Sequence, residues 1–192
     1  MKTFIHYKKQ RLETLLNNLN ELNELYIKRS FSFQETLFNF LQETIEFYEQ
    51  IGENSSSSKV SQLNIYLETA KKGINPQTLE KLKTGKRENL WIASYHILDE
   101  LSSLLQNNLL TLELEITQAR ELVEQVILSA IQSKLITDSN LKELTSQDKI
   151  IDLWKNLSKN EQIKLIEKKL KLSITQDDII ILCDLVCSKI RN

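Results

Sequence analysis

The sequence predicts an all-α fold: an elongated helical bundle with long heptad-patterned helices and a small helical C-terminal subdomain. Three observations predict it. From Trp91 to Ala130 the apolar residues advance by alternating steps of four and three, through Tyr95, Leu98, Leu105, Leu109, Leu112, Ile116, Ala119, Val123 and Val126, with Ser102 the one polar member. Ile5, Leu12, Leu15, Leu19, Leu22 and Tyr26 keep the same rhythm, broken only by Lys8. Such spacing lays one stripe along one side of a helix and requires another helix to cover it. The third observation is compositional: the chain has three Gly and one Pro in 192 residues, all between Gly52 and Gly85. Helices need neither residue in their interiors, whereas strand hairpins usually need Gly.

The first helix is expected over about Phe4 to Lys28, with Leu16 and Leu25 widening its stripe. Ser30 to Phe33 interrupts the pattern, and Ser32 followed by Glu35 has the spacing of a capping box. The second helix turns Phe33, Leu37, Phe40, Leu41, Ile45 and Tyr48 inward and stops at Gly52, a natural residue for a left-handed helix end. Residues 53–59, with serines at 55–58, read as a flexible loop. A short helix follows from Val60 to Lys72, ending at Gly73. Asn75-Pro76 then restarts a brief helix, Gln77 to Thr84, closed by Gly85.

The long heptad segment begins near Arg87. Asn107-Asn108 could turn it into a hairpin, and Leu110, Leu112, Leu114 and Ile116 alternate as a strand would. The heptad continues on both sides, so a single helix of about 45 residues is the expectation. From Thr137 onward the helices shorten and carry caps. Asp138 or Ser139 opens a turn through Leu144, Ser146 opens 147–157, Ser158 opens 159–172, and Thr175 with Asp178 opens 176–190. The expected division is 1–136 for the long-helix bundle and 137–192 for the subdomain.

Composition restricts the chemistry. With 41% hydrophobic and 27% charged residues the chain has the make-up of a folded globular protein. A net charge of −1 removes the simple case for a nucleic-acid binder, which usually carries a strong positive excess. No stretch approaches the ~20 apolar residues of a spanning helix, and no apolar signal segment opens the chain. A cytoplasmic protein without membrane partners is expected. Cys183 and Cys187, one helical turn apart, read as small core residues. With His6 and His96 the only histidines, no zinc or di-iron set can be assembled, so no metal and no cofactor is expected. Thr84-Gly85-Lys86 is not a phosphate loop, because position 80 is Glu and position 87 is Arg.

Two surfaces remain as binding candidates. A heptad stripe of ~60 Å outruns each of the first two helices, so Leu105, Leu109, Leu112, Ile116 and Val123 are candidates for contact with a protein partner or a second copy. Lys71, Lys72, Lys81, Lys83, Lys86 and Arg87 face one acid in their stretch, Glu80, and form a candidate basic docking patch. The functional expectation is a non-enzymatic helical protein–protein interaction module, a small subunit or adaptor of a larger assembly. The alternatives are a nucleic-acid-contacting subunit using the basic junction 71–87, and a helical RNase-like enzyme centred on His96. Arg87 precedes His96 by nine residues, farther than the spacing such RNases of the HEPN type use.

Overall fold

The computed structural model describes residues 4–75, 80–81, 85–137, 141, 144 and 146–191. Among the described residues there are seven helices and no strand. They are α1 (Ile5–Ile27), α2 (Phe33–Gln50), α3 (Asn54–Lys71), α4 (Lys86–Gln132), α5 (Gln147–Leu157), α6 (Glu161–Ser173) and α7 (Gln176–Arg191). The expected all-α fold with long helices is observed. α4 is unbroken over 47 residues, about 70 Å at 1.5 Å per residue. Asn107 and Asn108 lie inside it, so there is neither a hairpin there nor a strand over 109–117.

Four helices end alike. Ser30, Glu53, Ile74 and Leu135 each return an N–H to the carbonyl five residues back, over a residue of positive φ. This is the Schellman stop. α2 and α3 place Gly52 and Gly73 at the left-handed position, as their sequences announce. α1 and α4 place Arg29 (φ 51°) and Lys134 (φ 58°) there, where a side chain crowds its own backbone.

Several local expectations are corrected. The serines at 55–58 form the first turns of α3, not a loop, because Ser56 and Ser57 are buried and Val60, Leu67 and Ala70 continue the same packed face. α3 packs closely on α2, and that packing overrides weak serine propensity. The Ser32–Glu35 capping box does not form. Ser32 already has helical φ and ψ, and its hydroxyl pairs with Ser30 Oγ at 2.9 Å. Ser158 ends α5; α6 is opened by Asn160, whose side chain accepts from the Gln162 N–H. Most of the expected helix 77–84 lies outside the described residues. Its described members Glu80 and Lys81 are not helical: Asn75 N–H donates to the Glu80 carbonyl, and Ile74 forms an isolated antiparallel bridge with Lys81. The turn expected from Asp138 or Ser139 to Leu144 is likewise mostly outside them.

By packing, the chain divides into two compact units, Gln10–Leu109 and Met1–Lys9 with Leu110–Asn192. This differs from the division expected at 136, because the second half of α4 lends Leu112, Ala119, Val123, Val126 and Ala130 to the core of the C-terminal unit. The core of the 10–109 unit is built from Leu15, Leu19 and Leu22 of α1, Phe33, Leu37, Leu41 and Phe47 of α2, Leu67 of α3, and Ile97, Leu101 and Leu105 of α4. Of its buried polar side-chain atoms, Asn64 Oδ1 has no hydrogen-bond partner among the described residues, whereas Asn108 is paired. Asn108 Nδ2 donates to Tyr48 Oη at 2.6 Å and to Ser56 Oγ at 3.2 Å.

In the other unit α5 packs on α7, and Trp154, Ile179, Cys183 and Cys187 are buried. Cys183 and Cys187 are free thiols. The hydrogen bond that the Cys183 S–H donates to Cys187, together with burial, pushes the Cys183 thiol far above its usual range; both side chains are buried, as core residues are. The fully buried Asp178 carboxylate joins two helix starts. It accepts from Thr175 Oγ1 (2.6 Å) and Thr175 N–H (3.0 Å) at the start of α7, and from Ile5 N–H (3.1 Å) and His6 Nδ1 (3.0 Å) at the start of α1. The capping box expected at Thr175–Asp178 therefore exists and has a second task.

Candidate interaction surface

The heptad stripe explains which residues of α4 reach the surface. A straight helix drifts about 20° per heptad against a 3.5-residue repeat. From Leu105 onward the stripe is buried except at the half-buried Leu109 and Ile116, but toward the N-terminus the buried side shifts to Leu90, Ser94, Ile97 and Leu101. Trp91 is left at the edge and Tyr95 is 63% exposed. Both meet the end of α1. Tyr26 stacks on Trp91 (centroids 5.1 Å, planes 15° apart), approaches Tyr95 at 6.4 Å, and meets Phe33 edge-on at 5.4 Å.

The α1–α2 turn completes this corner. Phe31, at its tip, is 93% exposed, and the Arg87 guanidinium lies 5.6 Å over its ring. Beside it, Arg29, Arg87, Glu88 and Trp91 line a cleft of about 190 Å³. Burial raises the Tyr26 phenol above its ordinary value, and the nearby Arg29 charge partly offsets this. Among the described residues neither Arg29 nor Arg87 makes an ion pair with a carboxylate. Ile27 and Ile92, exposed as well, flank the aromatic groups in sequence.

The residues singled out from sequence are placed as follows. Leu105, Leu112 and Val123 are buried within the chain and offer no surface to a second one, while Leu109 and Ile116 are half-buried. Of the basic set, Lys71 is engaged: its Nζ is 2.7 Å from Glu68 and 5.2 Å from the centre of the Phe38 ring. Lys72 and Lys81 are exposed, Arg87 belongs to the corner, and Lys83 and the Lys86 side chain lie outside the described residues. Arg29 and Phe31 were not singled out. Their signal was a helix end without Gly or Asn, followed by an aromatic in the turn.

His96 lines a different groove, of about 560 Å³ between α3 and α4, with Lys59, Tyr66, Glu100 and Asn107 on its walls. The His96 ring rests 5.1 Å from Tyr66. Among the described residues no hydrogen bond joins Lys59, Tyr66, His96 and Glu100 to one another. No group of three or more His, Cys, Asp or Glu among the described residues could hold a metal ion. No described helix is long and apolar enough to cross a membrane. The chain matches no family model, no curated protein and no solved structure.

Proposed function

We propose that this chain is a non-enzymatic helical protein–protein interaction module, a small subunit or adaptor of a larger assembly. The observation that supports it is the corner of Phe31, Trp91, Tyr95, Arg29 and Arg87. Exposed aromatic side chains beside arginines are the composition of interface hot spots, and here they are gathered at one corner rather than scattered singly. The recognition surface is thus the exposed edge at the start of α4; the heptad stripe serves the chain's own core. A cytoplasmic location is proposed with it, in keeping with two free buried cysteines. The basic stretch around Arg87 also favours a second reading, contact with nucleic acid, since bases stack on aromatic rings beside arginine.

The test is site-specific photo-cross-linking in the native host, with the cross-linking residue at Phe31, at Tyr95 and at the exposed control Asn20. The proposal expects one defined protein adduct from positions 31 and 95 and none from 20. Adducts at all three positions, or at none, contradict it.

A further inference from the structure

We infer that the aromatic–arginine corner takes an acidic peptide segment bearing an apolar anchor side chain. Carboxylates of the segment meet the Arg29 and Arg87 guanidinium groups, and the anchor lies against Phe31 and Trp91. This rests on the reading of the chain as an interaction module and adds the chemistry of its partner.

Charge is the first argument. Two arginines stand at one cleft with no carboxylate partner among the described residues, against the single acid Glu88. The Arg87 guanidinium carbon lies 5.6 Å over the Phe31 ring, and its planar fork of N–H donors has no carboxylate partner among the described residues. That fork matches a carboxylate bidentately.

Backbone is the second. Arg29 occupies a left-handed position that Gly52 and Gly73 fill in the equivalent stops of α2 and α3. A non-Gly residue there is strained, and such strain concentrates at functional sites. The conformation turns the chain sharply enough to leave Phe31 projecting beside Arg87.

Size and surroundings decide the class of occupant. A cleft of about 190 Å³ is smaller than the ~300–1,000 Å³ of small-molecule sites and suits single side chains of a peptide. The segment Ser30–Ser58 that leaves the corner carries five acids and no Lys or Arg. A short acidic peptide need touch only the two arginines at the cleft.

The experiment selects from a display library of short random peptides with the full chain as bait, then measures the enriched peptides by fluorescence anisotropy, with oligothymidine as a competing probe. Enriched peptides should carry Asp or Glu beside Leu, Phe or Trp. The R29E/R87E double variant should bind the best of them about tenfold more weakly, the loss of two exposed charge pairs. Arg29→Gly should lose affinity while its melting midpoint stays level or rises, which separates recognition from folding. Lys134→Gly should relieve the same strain elsewhere with binding unchanged. Peptides enriched without carboxylates, full affinity in the double variant, or oligothymidine displacing every peptide would each overturn the inference. An absence of enrichment with cross-links retained at Phe31 overturns the acidic partner alone; loss of the cross-links too removes the interaction module itself.

Discussion

Replacing Asp178 with Ala should be among the most damaging single changes in the C-terminal unit. The carboxylate is fully buried and accepts from Ile5 N–H, Thr175 N–H, Thr175 Oγ1 and His6 Nδ1 at 2.6–3.2 Å. Removing it strands the buried Ile5 N–H and takes the acceptor from the half-buried Thr175 N–H and hydroxyl; His6 is partly exposed and finds water. Each stranded buried donor costs about 1–3 kcal/mol, and the terms are not additive because the site relaxes. A net loss of about 3–5 kcal/mol follows, the size seen when one partner of a buried charged network is deleted. At about 2–4 °C per kcal/mol for a chain of this length the melting midpoint falls by roughly 10 °C. Urea unfolding followed by circular dichroism measures it. A loss below about 1 kcal/mol, the level of one ordinary helix cap, would refute the idea that one carboxylate holds two helix starts.

The same group gives a pH dependence. Burial alone would raise the Asp178 carboxyl, but the hydrogen bonds from Thr175, His6 and Ile5 outweigh it and hold the group below its ordinary value. A depressed folded value means its contribution is complete above the unfolded pKa of about 3.9 and is lost as pH falls through the folded one. Stability of the native chain should therefore drop more steeply below about pH 4 than that of Asp178→Asn; parallel curves would contradict the assignment.

Three further outcomes are expected. Lys134→Gly should stabilise by up to about 1 kcal/mol, the left-handed strain relieved less the added freedom of the unfolded chain, read from the urea midpoint. Leu101→Ala should cost about 2–5 kcal/mol as a buried cavity, whereas Leu114→Ala, on the exposed side of the same helix, should stay within about 0.5 kcal/mol. Asn108→Ala should cost about 1–3 kcal/mol by stranding the Tyr48 hydroxyl. It should also move the Tyr48 phenol, which burial has pushed up to about 12, still higher, since the Asn108 bond acts to lower it; ultraviolet titration checks this.

How much of this could be read from the chain depends on the range of the forces. The helix stops at Gly52 and Gly73 were legible because one residue type answers the backbone requirement. The identical stops at Arg29 and Lys134 were not, because packing beyond the turn imposes the strained conformation on residues that do not ask for it. Thr175–Asp178 and Ser32–Glu35 have the same cap spacing, yet only the first forms a box. What separates them is Ile5, 173 residues from Asp178, a distance no local pattern reports. The serines at 55–58 looked like a loop because hydroxyl-rich runs usually are; burial of Ser56 and Ser57 within the packed 10–109 unit makes them helical. Of the proposed recognition corner, Arg87 and Trp91 were visible as charge and heptad, while Arg29 and Phe31 depended on a turn only the fold could place.

The central claim is that α4 runs unbroken through Asn107-Asn108 with its leucine stripe already covered inside the chain, leaving the exposed corner for recognition. Hydrogen exchange at the amides of residues 105–112 in the isolated chain, followed over a range of protein concentrations, tests it most directly. Slow exchange through the asparagines, independent of concentration, is the predicted result. Fast exchange at 106–108, or protection that appears only as the concentration rises, would contradict it.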